Sequence, residues 1–411
     1  MKVLVLSQYY APEPIPKPHD LAMALCQKGH SVYAITGVPN YPSGRVYEGY
    51  KASPMRREQI DEIRVIRTYE FPYHGGSAIG RILNYASFML SAPFGALFGG
   101  PCDVIYVWHP PLTIGVAAWL ISKIKRAPFV YDVQDIWPES AVLAGALREG
   151  AMVRLMGRLA TFVYRRAAHI LVPTEGAREN IISKGVAPEK VTTLPHWVDE
   201  TLFAGIDPST RASVRASHGW SDEFIVLFAG NLGFVQGLDT VVEAAGLVGS
   251  ERIRFVFAGD GAYRERLESL VKSKGLSGRV SFLGHRPMEE MPGLMAASDL
   301  LLVHLKRSEL SKLVIPSKTM AYLAAGKPIL MAMEGAAADM VAESGAGKVC
   351  EPGDPVKLAV AVDEIASMPA GELATLGEAG RSYLQENLSR RKVLERYEAV
   401  LERVARPVSQ G

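Results

Sequence analysis

The sequence predicts an α/β protein made of two doubly wound, mostly parallel sheets, and three observations predict it. Short apolar runs alternate with helical patterns along the chain, the rhythm of βαβ units and therefore of parallel strands. The alternation lapses across residues 195–222, where polar residues and turn formers dominate, and then resumes, as expected of a linker between two domains. The chain has 411 residues, 48% of them hydrophobic and 21% charged, enough for two or three domains with sizeable cores. A net charge of +2 gives no ground for a nucleic-acid partner.

The first half opens on VLVLS at 3–7, directly after Met1-Lys2, which is too short a lead to be a signal peptide. A proline-rich loop over 11–18 follows, then a helix carrying Leu21, Ala24 and Leu25 that Gly29 stops, then the strand SVYAIT from Ser31. Further strands are expected at 63–68, 104–107, 129–132, 170–172 and 191–194, with helical runs near 112–124, 151–166 and 177–183. The second half repeats the scheme with FIVLFAG, IRFVFAGDG, VSFLG, DLLLVH, PILMA and GKVC. The expected domains are 1–200 and 201–385, followed by a helix over 386–411 that is free to cross back to the first domain. Two such domains would face each other across a cleft lined by the carboxyl ends of their strands, where open α/β sheets bind ligands. That arrangement suits a two-substrate enzyme that closes on binding.

Residues 79–99 are apolar over about the length that could cross a bilayer. Asn84, Ser87, Ser91 and Pro93 weaken a spanning reading, which leaves a buried core helix or a helix lying in the membrane interface. For the latter, Arg81 with Lys51, Arg56, Arg57, Arg64 and Arg67 would meet anionic head groups. Cys26, Cys102 and Cys350 lie far apart, form no metal-ligand spacing and fit a reducing, cytoplasmic setting.

The stretch from Asp299 to Leu330 carries the strongest chemistry. An apolar strand ends in a loop with Lys306, Arg307, Glu309 and Lys312, and the chain turns at Ile315-Pro316-Ser317 into a short helix that Gly326 ends. Free N–H groups and the helix dipole favour an anion at such a start, and Lys318 in the first turn adds a full charge. An ordinary crossover with a solvated basic loop reads the same way. Gly230-Asn231-Leu232-Gly233 with Gln236-Gly237, and Gly259-Asp260-Gly261, follow strands and let the backbone approach a phosphate, or are plain tight turns. Arg286 is placed to stack on a flat base or lies on the surface. In the first half, Asp135 stands at a strand end, able to orient a hydroxyl, accept its proton or cap the next helix. His109 is a second strand-end candidate, or a structural histidine. Glu13, Lys17 and His19 in the proline-rich loop, and Asn40 after the second strand, would line an acceptor side.

The motifs FAGNLGFVQGLDTVVEAA, FAGDG, VSFLGHRP, VIPSK, AYLAAGKPIL and ESGAGKV, in that order, resemble the donor domain of a retaining glycosyltransferase of family 4 with the GT-B fold. QYYAPEP, QKGHSVYAITGVPNYPSG, VQDIWPES and LPHWVDETLF are similar to its WbuB-like branch, so the resemblance covers nearly the whole chain. It implies transfer of a sugar, in this branch often an N-acetylated aminosugar, from a UDP-sugar to a lipid-linked or glycan acceptor in bacterial surface polysaccharide synthesis. It also implies a cytoplasmic protein held peripherally on the inner membrane face, with an anionic membrane surface as partner. The UDP-sugar is a substrate, and no metal or cofactor is needed, because the leaving phosphate accepts the acceptor proton.

By the resemblance, the diphosphate meets Gly230–Gly233 and Pro316–Lys318, and the base lies near His285 and Arg286. Four positions depart from the wider pattern. Asn231 and Gln236 replace Arg and Lys, Ala321 replaces a ribose-binding Glu, and Gln134 replaces a His. Charge then falls to Lys318, Lys312, Lys306, Arg307 or Lys17, and ribose contact to Glu309. A nucleotide-sugar epimerase and a non-catalytic sugar-nucleotide binder share the fold and remain alternatives.

Overall fold

The computed structural model of the protein describes residues 1–143 and 150–405. The chain divides into two compact units: Met1–Leu194 together with the chain from Leu394 on, and Pro195–Val393. The expected boundaries, after residues 200 and 385, differ from these.

The first unit holds β1 (Lys2–Ser7), β2 (Ser31–Thr36), β3 (Met55–Ile60), β4 (Ile63–Thr68), β5 (Val104–Trp108), β6 (Phe129–Asp132), β7 (His169–Val172) and β8 (Val191–Thr193). They form one sheet in the order β3-β4-β2-β1-β5-β6-β7-β8, parallel except for the antiparallel pair β3–β4. Strand order reverses between β1 and β5, which makes their carboxyl ends the switch point of this sheet. Strand β3 has no counterpart in the sequence reading. MRREQI lies half exposed at the sheet edge and is held by backbone pairing to β4, so it carries no buried alternation to betray it.

Residues Ala78–Leu97 form one helix running through Pro93 and capped by Ser77, whose Oγ accepts from Gly80 N–H at 3.4 Å. Phe88, Ala92 and Gly95 face the sheet, and a methyl group at Gly95 would meet Thr68 Cγ2 at 2.4 Å. The opposite face exposes Ile79, Ile82, Leu83, Leu90, Phe94 and Leu97. The helix is thus neither wholly core nor a span, and among the described residues no helix is long and apolar enough to cross a membrane.

The last helix, Arg390–Val404, packs against the first unit. Tyr397 Oη donates to Asp132 at 3.2 Å, Arg396 donates to Thr193 O at 3.0 Å, and Glu398 pairs with Lys28 and His30. It begins later than the expected 386, after a π turn at Leu384–Leu388, and residues 406–411 of that expectation lie outside the described residues.

The second unit holds β9 (Phe224–Ala229), β10 (Ile253–Ala258), β11 (Val280–Gly284), β12 (Leu300–His304), β13 (Ile329–Ala332) and β14 (Gly347–Cys350). Their order is β11-β10-β9-β12-β13-β14, all parallel, so the switch point lies between β9 and β12. Period-two alternation splits the core in two. Ile225, Leu227, Leu301 and Val303 pack with Met320, Leu323 and Val341 on one face. Val226, Phe228, Leu300 and Leu302 pack with Val241, Leu267 and Val362 on the other. The polar stretch expected to be a linker is partly structured. Asp207 caps a helix at Pro208–Ser217, whose Arg211 and Arg215 pair with Asp299. Its apolar content is low because arginines, rather than a hydrophobic stripe, fasten it.

Candidate active site

Three glycine turns at the carboxyl ends of β9, β10 and β11 are stitched together through their backbones. Gly230 N–H donates to Ala258 O at 2.8 Å, Leu232 N–H to Asp260 O at 2.9 Å, and Gly259 N–H to Gly284 O at 2.8 Å. Gly259 has φ +144, and a Cβ there would fall 1.9 Å from Gly230 O, so only glycine lets the two turns touch. The carboxylate of Asp260 is turned back on its own turn, accepting from Gly261 N–H at 2.8 Å and pairing with Arg264 at 3.4 Å. Gln236 lends its carbonyl to His304 Nδ1 at 2.6 Å, while its Oε1 is buried without a partner among the described residues.

Against these turns lies Lys318. It opens the helix Lys318–Ala325, and its Nζ stands 3.1 Å from where a Cβ on Gly230 would be and 3.4 Å from the centroid of Phe228. The residue is half-buried as a whole, but Nζ is buried and has no hydrogen-bond partner among the described residues. Burial pushes its pKa down to about 7. The helix start is otherwise less open than the sequence implies: Thr319 N–H is taken by Pro316 O at 2.9 Å, and exposed Ser317 makes no side-chain cap.

The other cations of this region are already engaged. Arg307 pairs with Glu334 and Glu351, both at 2.6 Å, and Lys312 pairs with Glu309 at 2.8 Å. Lys306 Nζ lies 3.3 Å from the Phe234 ring centroid. Glu309 is almost fully exposed in its pair with Lys312. Arg286 pairs with Glu290 at 3.6 Å and keeps a buried Nε that has no partner among the described residues.

In the first unit the expected residues differ in their surroundings. Glu13 is buried, and its carboxylate accepts from the backbone N–H groups of Tyr10, Asn40 and Tyr41, tying the loops after β1 and β2 together. His19 bridges Tyr10 Oη at 3.0 Å and Asp61 at 2.8 Å. His109 is buried edge-on to Tyr131, and burial drops its pKa to about 3, which suits a fixed neutral ring rather than a proton acceptor. Lys17 is pushed down to about 7 by burial, against the pull of Asp132 and Asp20. Asp132 accepts from Tyr106 Oη and Gln134 Nε2, both at 2.6 Å, and burial lifts it to about 6. Asp135 is exposed, and desolvation by the surrounding protein raises its pKa. The short helix Glu139–Leu143 follows it.

The sequence reading missed Glu70. Two residues past β4, it is buried, and its Oε1 accepts from Asn84 Nδ2 at 2.7 Å, Gln8 Nε2 at 2.8 Å and Asn40 Nδ2 at 3.1 Å. Burial raises it to about 8, opposed by those donors. Its only sequence signal is a carboxylate just beyond a strand end.

Comparison with known proteins places this geometry. Residues 17–197 match the family described as Glycosyl transferase 4-like domain, and residues 210–383 match Glycosyl transferases group 1. WbjE of Pseudomonas aeruginosa, named a probable glycosyltransferase, is 33% identical over 303 residues, spanning 72% of this chain and 74% of that protein. The chain is a group 1 glycosyltransferase. WcaI of Escherichia coli K12, named for colanic acid biosynthesis, is 27% identical over 97% of this glycosyltransferase and 98% of WcaI. Among solved structures, Anabaena HepE in complex with UDP and glucose superposes with a TM-score of 0.73 at 19% identity, covering 98% of this chain and all of that one. WaaG, a glycosyltransferase of lipopolysaccharide biosynthesis, gives 0.66 at 17% identity, covering 98% of this chain and 99% of WaaG. These two likenesses establish the GT-B fold.

Proposed function

We propose that this glycosyltransferase moves a sugar, an N-acetylated aminosugar in the manner of the WbuB-like branch, from a UDP-sugar to a lipid-linked or glycan acceptor. Its product would be a bacterial surface polysaccharide, and the anomeric configuration would be retained. The observation that carries the reading is the buried, unpartnered Nζ of Lys318 against Gly230. A desolvated cation without a counter-ion costs stability unless an anion completes it, and a leaving diphosphate is such an anion. The glycine turns at Gly230, Gly233 and Gly259 bring backbone within reach of the same charge. HepE, of the same fold, has been crystallised with UDP and with UDP-glucose, and WbjE and WcaI carry glycosyltransferase names, that of WcaI referring to colanic acid biosynthesis.

On this reading Gln236, Asn231, Ser317 and Pro316 shape the diphosphate pocket, and Arg286 meets the base. Asp135 orients the acceptor hydroxyl, with Lys17 and Asn40 behind it. The reaction breaks the bond between the anomeric carbon and the diphosphate oxygen. The acceptor oxygen bonds to that carbon on the face that is vacated, and its proton passes to the departing phosphate. Lys318 offsets the growing negative charge. The exposed apolar face of the helix Ala78–Leu97, with Arg57 and Arg64 nearby, supports peripheral attachment to the inner face of the cytoplasmic membrane.

Calorimetry against a panel of nucleoside diphosphates tests the donor assignment. UDP should bind more tightly than ADP or GDP, and Lys318→Ala should weaken it by about 1.5–3 kcal/mol, the worth of a charge-assisted contact. Equal binding of all diphosphates sinks the base assignment, and an unchanged affinity in the variant sinks the role of Lys318.

A further inference from the structure

The carboxyl edge of the first sheet gathers polar atoms whose hydrogen-bonding demand the protein itself does not meet. Glu70 Oε1 takes three N–H donors, yet no hydrogen bond reaches its Oε2 among the described residues. That oxygen lies against the bare Cα of Gly37, where a Cβ would sit 1.7 Å away, so the glycine makes room for it. Around it, Gln8 Oε1, Asn40 Oδ1 and His74 Nε2 are buried and equally unpartnered. These groups come from the ends of β1, β2 and β4 and from the segment that leads into the helix Ala78–Leu97. Arg67, buried, pins the loops in place by donating to Gly37 O at 3.1 Å and Ala11 O at 2.5 Å.

Beside this polar group stand three aromatic rings packed against one another. Tyr9 and Tyr41 have centroids 5.1 Å apart, Tyr41 and His74 5.1 Å, and Tyr9 and His74 5.6 Å. Tyr41 and His74 are only half-buried, and the phenol of Tyr9 lies close enough to feel the charge of Glu70. A pyranose presents two surfaces to a protein: hydroxyls at its rim, each able to donate and accept, and a face of C–H groups that packs on an aromatic ring. A carboxyl and two amide oxygens without partners answer the first, and the ring trio answers the second. Because a hydroxyl donates and accepts, it satisfies Glu70 in either protonation state.

We propose that Glu70, Gln8 and Asn40, with the rings of Tyr9, Tyr41 and His74, form a saccharide subsite on the first unit that binds the sugar ring of the acceptor. The subsite rests on the reading of this unit as the acceptor side. None of Glu70, Gln8, Tyr9 or His74 was singled out by the sequence motifs as a binding residue.

The test is saturation-transfer NMR on the full chain, with methyl pyranosides of glucose, galactose, mannose, rhamnose, fucose, N-acetylglucosamine and N-acetylgalactosamine, and UDP titrated in parallel. At least one pyranoside should receive saturation, and both Tyr41→Ala and Glu70→Gln should weaken it at least fivefold while UDP affinity stays within twofold. Tyr41→Ala removes a half-exposed ring and guards against a folding defect in the buried variant. UDP binding with no response from any pyranoside, or pyranoside affinity unchanged in both variants, overturns the subsite and leaves the donor reading intact. Pyranoside binding that is lost in the variants, without UDP binding, upholds the subsite and overturns the donor reading instead.

Discussion

Tyr322 accepts a hydrogen bond from the backbone N–H of Ala229, the last residue of β9, at 2.9 Å. The phenol is fully buried and sits one helical turn after Lys318, so both side chains leave the same face of the helix Lys318–Ala325. This bond fixes how far Lys318 reaches towards Gly230. Tyr322→Phe leaves the Ala229 N–H buried without an acceptor and should cost about 1–3 kcal/mol in denaturant unfolding. It should also weaken UDP binding several-fold, although the phenol touches no ligand in the proposed site. Unchanged UDP affinity would show that the helix keeps its position without the bond.

Lys318 makes stability and binding respond to pH in opposite senses. Burial lowers its pKa from 10.5 to about 7 in the folded chain, so between those values the unfolded state holds the extra proton. The contribution of this residue to stability therefore rises with pH from about 7 to about 10.5, and below 7 the full cost of the buried charge is present. A bound diphosphate raises the pKa again, so binding takes up a proton above pH 7. UDP affinity should fall as pH rises from 7 to 9, by up to about tenfold per unit. Lys318→Met should flatten that profile and raise stability by about 0.5–2 kcal/mol, since it removes an uncompensated charge. A variant that keeps the wild-type pH slope would assign the titration to another group.

The two-sheet architecture was legible because it is written in apolar runs such as FIVLFA and DLLLVH, which must be buried on both faces. Lys318 stood out by its place in the first helical turn after a strand and loop, although the same stretch reads equally as an ordinary crossover with a solvated basic loop. The pairing of the remaining cations was not legible. Whether Arg307 and Lys312 are paired or free depends on Glu334 and Glu351, which come from other crossovers of the sheet. Glu13 and His109 were candidates because both follow strands. Their burial is decided by backbone groups and rings far away in the chain, and no local pattern carries that information. Glu70 was hidden for the same reason: its partners Gln8, Asn40 and Asn84 are 62, 30 and 14 residues distant.

Gly259 offers the sharpest test of the stitched glycine turns. Gly259→Ala would place a methyl group 1.9 Å from Gly230 O at a backbone φ of +144 that side chains avoid. The turns must separate, at a cost on the order of 2–4 kcal/mol in unfolding measurements. Because Gly230 also borders Lys318 Nζ, UDP binding should fall together with stability, even at temperatures where the variant is fully folded. A folded variant with wild-type UDP affinity would remove the turns from the donor site.

The helix Ala78–Leu97 predicts the behaviour of the protein towards lipid. Leu90 is 68% exposed and Phe94 52%, an unusual cost for a helix whose other face already serves the core. Arg57 lies over the neighbouring Phe98 ring at 5.7 Å, and Arg64 lies over Tyr33 at 5.3 Å, so positive charge borders the apolar stripe. Vesicles containing about one-third phosphatidylglycerol should sediment the wild-type chain more strongly than neutral vesicles, and added salt should weaken this by screening the arginines. Replacing Leu90 and Phe94 together by Glu should abolish sedimentation while leaving UDP affinity unchanged, since both side chains point away from the core. Equal indifference of wild type and variant to both kinds of vesicle would sink the membrane-attachment reading, and sedimentation that survives the double substitution would move the attachment to another surface.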